Sequence, residues 1–335
     1  MKIAAGFKKF TGEHCATSAI RQVFSCQGIK LSEEMLLGLG EGIGFEYRID
    51  KKTGLPLLSM RGAGLFELES NICKRLGIEV KAVKSKNKKT AEKELFKMLE
   101  KDQSAVVYVE IGALPYVGKG SVCHMGVHAV AVAGFDPDEG NVLVADSDEP
   151  FHRVEFKALA VARDAAWCPS LHDNTMLKLT YPKTLAPIAA AIEAAAASAA
   201  TKMMNPKAKT SGVQGIRFFA EDIVSWPDRL DPKSLGEALK RIPVLIDDSD
   251  CGGGGFRKMY GRFLGEASRM LKDPEVSSLA NNVTGLARKW STLASKVRSI
   301  QPGRMFGEAV SASKKIEEIA DSEEDVWVKQ MAIFR

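Results

Sequence analysis

"GEHCATSAI", residues 12–20, puts a thiol at the place where a helical pattern begins. Gly12, Glu13 and His14 make a polar turn ahead of Cys15, and Ala16, Ala19, Ile20, Val23 and Phe24 then recur at helix spacing. The first turn of a helix offers orphan N–H groups and the positive end of the macrodipole, and both favour a thiolate. A cysteine at that point is either a small core hydrophobe or a nucleophile. The second reading requires a base elsewhere in the chain.

A base and its partner lie in one predicted hairpin. "HAVAVAGF" (128–135) and "NVLVAD" (141–146) are strand-like and flank the turn cluster "DPDEGN" (136–141). His128 begins the first strand and Asp146 ends the second. With the turn centred near 137 or 138, position 128 falls opposite 146 or 148. Either register places His128, Asp146 and Asp148 on one sheet face, because opposed residues share a face. Asp146 or Asp148 can then hold one imidazole nitrogen and aim the other at a thiolate. A nucleophile on an early helix, with His and Asp following on strands, is the papain-like order. Each residue also has a plain structural reading: a core cysteine, a strand-start histidine, a turn aspartate.

Composition narrows the class. The net charge is +5 over 335 residues, milder than a dedicated nucleic-acid binder carries. Six cysteines stand at 15, 26, 73, 123, 168 and 251 without a CxxC, which fits reduced thiols in a cytoplasm. "MKIAAGFKKF" at the N-terminus has no signal-peptide core. The longest apolar run, "LAPIAAAIEAAAASAA" (185–200), is Ala-rich and broken by Glu193, too weakly hydrophobic to span a bilayer. The expectation is a soluble, cytoplasmic protein with no nucleic-acid or membrane partner. Its oligomeric state is left open.

Along the chain, helix patterns at about 15–27, "LSEEMLLGLG", "GLFELESNICKRLG" and "TAEKELFKMLEK" alternate with strand patterns "IEVKAV", "SAVVYVEI" and the hairpin. "EFKALAVARDA" reads as a closing helix and "NTMLKLTY" as a last strand. After Tyr181-Pro182 almost everything has helix periodicity. The expected class is α+β, with a catalytic domain over 1–184 and an all-α helical domain over 185–335.

Four other motifs have weaker claims. "GLGEGIGFEY" (38–47) lacks the Lys-Ser/Thr of a phosphate loop and is expected to be a tightly packed loop near the site. "CGGGGFRKMY" (251–260) precedes a helix and would cradle a phosphate with Arg257 or Lys258, or else serve as a hinge or close backbone contact. Cys123, His124 and His128 suggest a metal, but in an extended segment the two histidines stand about 13 Å apart, too far to share an ion. "KAVKSKNKKTAEK" (81–93) holds six lysines against one Glu and reads as a solvated face or a dock for an acidic carrier protein.

At these same residues the chain resembles a known family. "GEHCATSAIRQVFSCQGIKLSEEMLLGLGEGIGFEY", "LPY" (114–116), His124-x-x-x-His128, "HAVAVAGFD" and "VLVADSD" are similar to the butirosin-biosynthesis protein H type of acyltransferase. "GIRFFAEDIVSWPD" and "GGGGFRKMYGRFLGEA" are similar to the helical domain that commonly follows. The resemblance implies a papain-like, peptidase-C39-like fold and transfer of an acyl group from a carrier-protein thioester to an amine. Carried over residue by residue, Cys15 is the nucleophile, His128 the base and Asp146 the residue that orients it. No cofactor and no metal is implied. Two other readings stand beside it: a papain-like peptidase or amidase with water as acceptor, and a non-catalytic binding module with a vestigial triad.

Overall fold

The computed structural model describes residues 2–64, 66–117, 127–164, 173–247 and 252–335. The strands are β1 (Lys2–Ile3), β2 (Ile43–Ile49), β3 (Pro56–Arg61), β4 (Glu79–Val83), β5 (Ala105–Glu110), β6 (Val127–Asp136), β7 (Asn141–Ala145), β8 (Phe151–Glu155) and β9 (Met176–Thr180). Among them run the helices α1 (Cys15–Ser25), α2 (Glu33–Leu39), α3 (Glu67–Leu76), α4 (Lys88–Glu100) and α5 (Phe156–Arg163). Then come α6 (Ile188–Met204), α7 (Gly212–Ile223), α8 (Trp226–Arg229), α9 (Pro232–Asp247), α10 (Arg257–Leu271), α11 (Pro274–Ser299) and α12 (Met305–Ile333). The class is α+β. Among the described residues, no helix is long and apolar enough to cross a membrane.

Contacts divide the chain into two compact units, Met1–Leu36 with Gly77–Leu185, and Leu37–Leu76 with Ala186–Arg335. Composition and periodicity predict a single boundary at 184/185. The division is instead discontinuous, because the segment 37–76 packs with the C-terminal helices. Aromatic rings draw it there. Phe45 of β2 stacks on Trp290 with centroids 5.6 Å apart, and Tyr47 stacks on Phe219 at 4.7 Å. The Tyr47 hydroxyl donates to Asp222 Oδ2 at 2.6 Å. Thus "GLGEGIGFEY", expected to be a loop, enters a β2–β3 hairpin of the second unit.

In the first unit, β4-β9-β5-β6-β7-β8 form an antiparallel sheet, and β1 adds to β6. Val130, Val132, Val142 and Val144 of the hairpin join Val107 and Val109 of β5, Leu95 and Leu99 of α4, and Leu159 of α5 in one buried cluster. Small Ala129, Ala131 and Ala133 alternate with those valines, and α1 packs against β6.

The hairpin is not regular. At the turn end the register is Asp136↔Asn141, Phe135↔Val142 and Gly134↔Leu143, and further on it is Val132↔Val144 and Ala131↔Ala145. Two β6 residues are therefore spent on one of β7, a bulge with Ala133 as the extra residue. The core-facing positions of β6 change from even to odd across it, from Val132 to Phe135. Beside the bulge runs β1, with Ile3 paired to Gly134. A Cβ on Gly134 would lie 2.0 Å from the Lys2 carbonyl oxygen, so only glycine admits this third strand.

The second unit has a charged centre. Arg257 and Glu323 are both fully buried and joined at 2.8 Å. Trp290 and Trp327 donate their indole N–H groups to the same carboxylate at 2.7 and 2.6 Å. Arg257 Nη1 donates to Gly44 O at 2.8 Å, which ties the β2–β3 segment to α10 and α12. The glycine run takes its structural reading here. Gly252 to Gly255 all have positive φ, as does Phe256, and Gly255 N–H donates to Ile246 O at 2.6 Å. This left-handed turn leads into α10. Cys251 lies outside the described residues.

Candidate active site

Cys15 is the first residue of α1 and partly exposed. The turn before it is held by a buried carboxylate. Glu33 accepts the backbone N–H of Glu13 at 2.9 Å, that of His14 at 2.8 Å, and the Thr17 hydroxyl at 2.9 Å. His14 is the N-cap, with Nδ1 accepting from Thr17 N–H at 3.3 Å. Burial pushes the Glu33 carboxyl above its ordinary range, against the pull of those donors. The result is a fixed start to the helix. The Ser-Glu-Glu of "LSEEM" was legible as a helix start, and Met35 N–H does donate to Ser32 Oγ at 3.0 Å. Glu33's reach back to the Cys15 turn has no local signature.

His128 Nε2 and Asp146 Oδ1 are 2.7 Å apart. The bulge makes this possible. Extended unchanged, the turn-end register would set Asp146 opposite Ala131, on the face away from His128. Past Ala133 the parity is restored, and the two share a face. Asp148 takes a different partner, His152 Nε2 at 2.7 Å. Of the two carboxylates read from the sequence, Asp146 meets His128.

The third predicted residue is also within reach. The Cys15 side chain is near enough to His128 to favour its protonated form, and Nε2 of that ring is already committed to Asp146. Nδ1 is the ring nitrogen left for sulfur. Burial alone would lower the pKa of this imidazole. The hydrogen bonds to Asp146 and Cys15, together with their negative charges, outweigh it and lift His128 to about 10. Asp146 moves the opposite way: burial would raise it, but the bonds from His128, Ser147 and Tyr116 pull it down to about 2. An imidazolium paired with the Asp146 carboxylate is the charge state these shifts favour.

Several further side chains brace the site. Lys9 Nζ donates to the carbonyls of Asp146 and Asp148. Gln22 Nε2, on α1, donates to those of Ala145 and Asp146, both at 3.3 Å. Tyr116 OH donates to Asp146 Oδ2 at 2.8 Å. None of these was singled out by spacing, although Tyr116 sits in the "LPY" motif.

The remaining candidates separate from this cluster. Cys123 and His124 lie outside the described residues, and among those described no group of three or more His, Cys, Asp or Glu could hold a metal ion. The thiols of Cys26 and Cys73 are both pushed up by burial, Cys73 to about 12. Arg257, a proposed phosphate partner, is sealed in the second unit. The lysines of 81–93 are exposed along β4, the loop after it and α4, with Lys88 paired to Asp164 at 2.8 Å.

Two known families match the chain in succession. Residues 14–147 match the family described as butirosin biosynthesis protein H, N-terminal, and residues 157–329 match the domain of unknown function DUF4872. No curated protein matches the chain. With more than half its length inside the second of these, the chain belongs to the DUF4872 family and carries a butirosin biosynthesis protein H-like N-terminal domain ahead of it.

Proposed function

We propose that the protein is a biosynthetic enzyme of the acyl-transfer class, with a papain-like catalytic domain and Cys15 as nucleophile. One observation carries this: a single imidazole, His128, is shared between Asp146 and the thiol at the start of α1. The match to the butirosin biosynthesis protein H N-terminal family supports a biosynthetic role.

In the proposed reaction the Cys15 thiolate attacks the carbonyl carbon of an acyl thioester, forming a carbon–sulfur bond. Negative charge collects on the carbonyl oxygen and is met by the Cys15 backbone N–H at the helix N-terminus. The tetrahedral species collapses, the donor thiol departs, and His128 supplies its proton. An amine then attacks the acyl-enzyme, gives its proton to His128, and expels Cys15 as thiolate. Asp146 keeps the imidazole in the orientation both steps need. The donor we favour is a carrier-protein thioester, since the exposed lysines of 81–93 complement an acidic carrier.

Incubation with an acyl thioester tests this. A mass adduct on Cys15 that amines discharge faster than water supports transfer. An adduct that water discharges at once, with amines making no difference, supports the peptidase or amidase reading. No adduct from any thioester or amide supports a binding module.

A further inference from the structure

The triad uses only one oxygen of Asp146. Its other oxygen, Oδ2, accepts from Tyr116 OH at 2.8 Å. The Tyr116 ring lies flat on the His152 imidazole, with centroids 3.6 Å apart and planes at 7°. His152 in turn is 2.7 Å from Asp148 Oδ2. Tyr116 is thus gripped at its hydroxyl by one aspartate and on its face by a histidine that a second aspartate holds.

What freedom this removes follows from the other contacts. Lys9 and Gln22 already pin the backbone of 145–148 through its carbonyls. Rotation of the Asp146 carboxylate about its own last bond is left. Oδ1 is contested, since Ser147 N–H donates to it at 2.7 Å alongside His128. A carboxylate free to rotate would trade the imidazole for that neighbour, or hold it in poor geometry. A donor fixed on Oδ2 stops the rotation.

We infer that Tyr116 is a positioning residue that locks the Asp146 carboxylate with Oδ1 facing His128, and that Asp148 contributes by holding His152 against the Tyr116 ring. The inference rests on the proposed Cys15–His128–Asp146 role. It gives Asp148 a part in the same site without contact to His128.

The test is the pH dependence of Cys15 alkylation by iodoacetamide, read by mass spectrometry on the full chain, with thermal midpoints measured in parallel. Tyr116→Phe keeps the stacked ring and removes only the hydroxyl. It is expected to slow alkylation on the acid limb by about threefold to tenfold, the worth of one hydrogen bond, and to move that limb to higher pH. His152→Ala should move it the same way by less. In an Asp146→Ala background Tyr116→Phe should add nothing, since the two act as a unit. An acid limb unmoved by Tyr116→Phe, even with a lowered melting point, would make the tyrosine merely structural and overturn the inference. A shift that persists in the Asp146→Ala background would overturn it as well. If Tyr116→Phe does not fold, an unmoved limb in His152→Ala overturns it. His128→Ala separates the two levels: if that variant leaves Cys15 reactivity unchanged, the triad itself falls.

Discussion

Asp146 Oδ1 meets His128 Nε2 at 2.7 Å because Ala133, further along the hairpin, is the extra residue of a bulge in the β6–β7 pairing. A regular ladder from the same turn would set the two side chains on opposite faces. The site therefore depends on a backbone irregularity that is itself part of the core. It also depends on the glycine that follows the bulge and admits β1.

Cys15 should be the fastest-alkylating thiol among the described cysteines. Burial raises the pKa of both Cys26 and Cys73, whereas Cys15 is partly exposed beside a protonated imidazole. Time-resolved iodoacetamide labelling at neutral pH would check this. Equal rates at Cys15 and Cys26 would remove the basis for a nucleophile.

Stability should depend on pH through the His128–Asp146 pair. Asp146 is pulled from 3.8 to about 2, so its contribution is present above 3.8 and lost as pH falls toward 2. His128 is lifted from 6.5 to about 10, so its contribution is complete below 6.5 and lost as pH rises toward 10. The stability gap between wild type and Asp146→Asn should be widest between these windows and narrow on both sides. Urea midpoints at about pH 3, 5 and 10 measure it. A gap constant with pH would mean the pair is not ionised as described.

Gly134→Ala should detach β1. Its new methyl group would sit 2.0 Å from the Lys2 carbonyl, a backbone atom that cannot step aside alone. The expected cost is about 1–3 kcal/mol, as for other overpacked sites, with faster proteolysis of the first few residues. An unchanged melting point and digestion pattern would contradict the pairing of β1 with β6.

Glu323→Ala should be among the most damaging changes in the helical unit. It strands the buried Arg257 guanidinium and two indole N–H donors at once. Removing one partner of such a pair costs about 3–5 kcal/mol, readable as a shift in urea midpoint. A loss below about 1 kcal/mol would mean that water reaches Arg257.

A chain ended at residue 184 should expose apolar surface. Phe45 and Tyr47 would lose Trp290 and Phe219, against which they stack. Binding of a hydrophobic dye well above that of the full chain is expected. A fragment that binds none would show that residues 37–76 can repack within the first half.

Short-range pattern was enough to settle the helix that starts at Cys15, the hairpin around "DPDEGN", and the helical second half. Each is written in neighbours two to four positions apart, where periodicity and turn chemistry act. The shared face of His128 and Asp146 is legible as parity, because the two regular registers the turn allows agree on it, although the hairpin itself is bulged. Asp146 rather than Asp148 was settled by tertiary structure. A bulge beside a third strand puts both carboxylates on the His128 face, and the choice between them follows from His152 holding Asp148. Glu33 and Tyr116 were hidden for the same reason: their partners lie 19 and 30 residues distant, and nothing near either residue records the contact. Composition likewise changes near residue 182, yet 37–76 joins the C-terminal unit. Composition records what a segment is made of, whereas the rings it buries against are chosen only when the chain closes on itself.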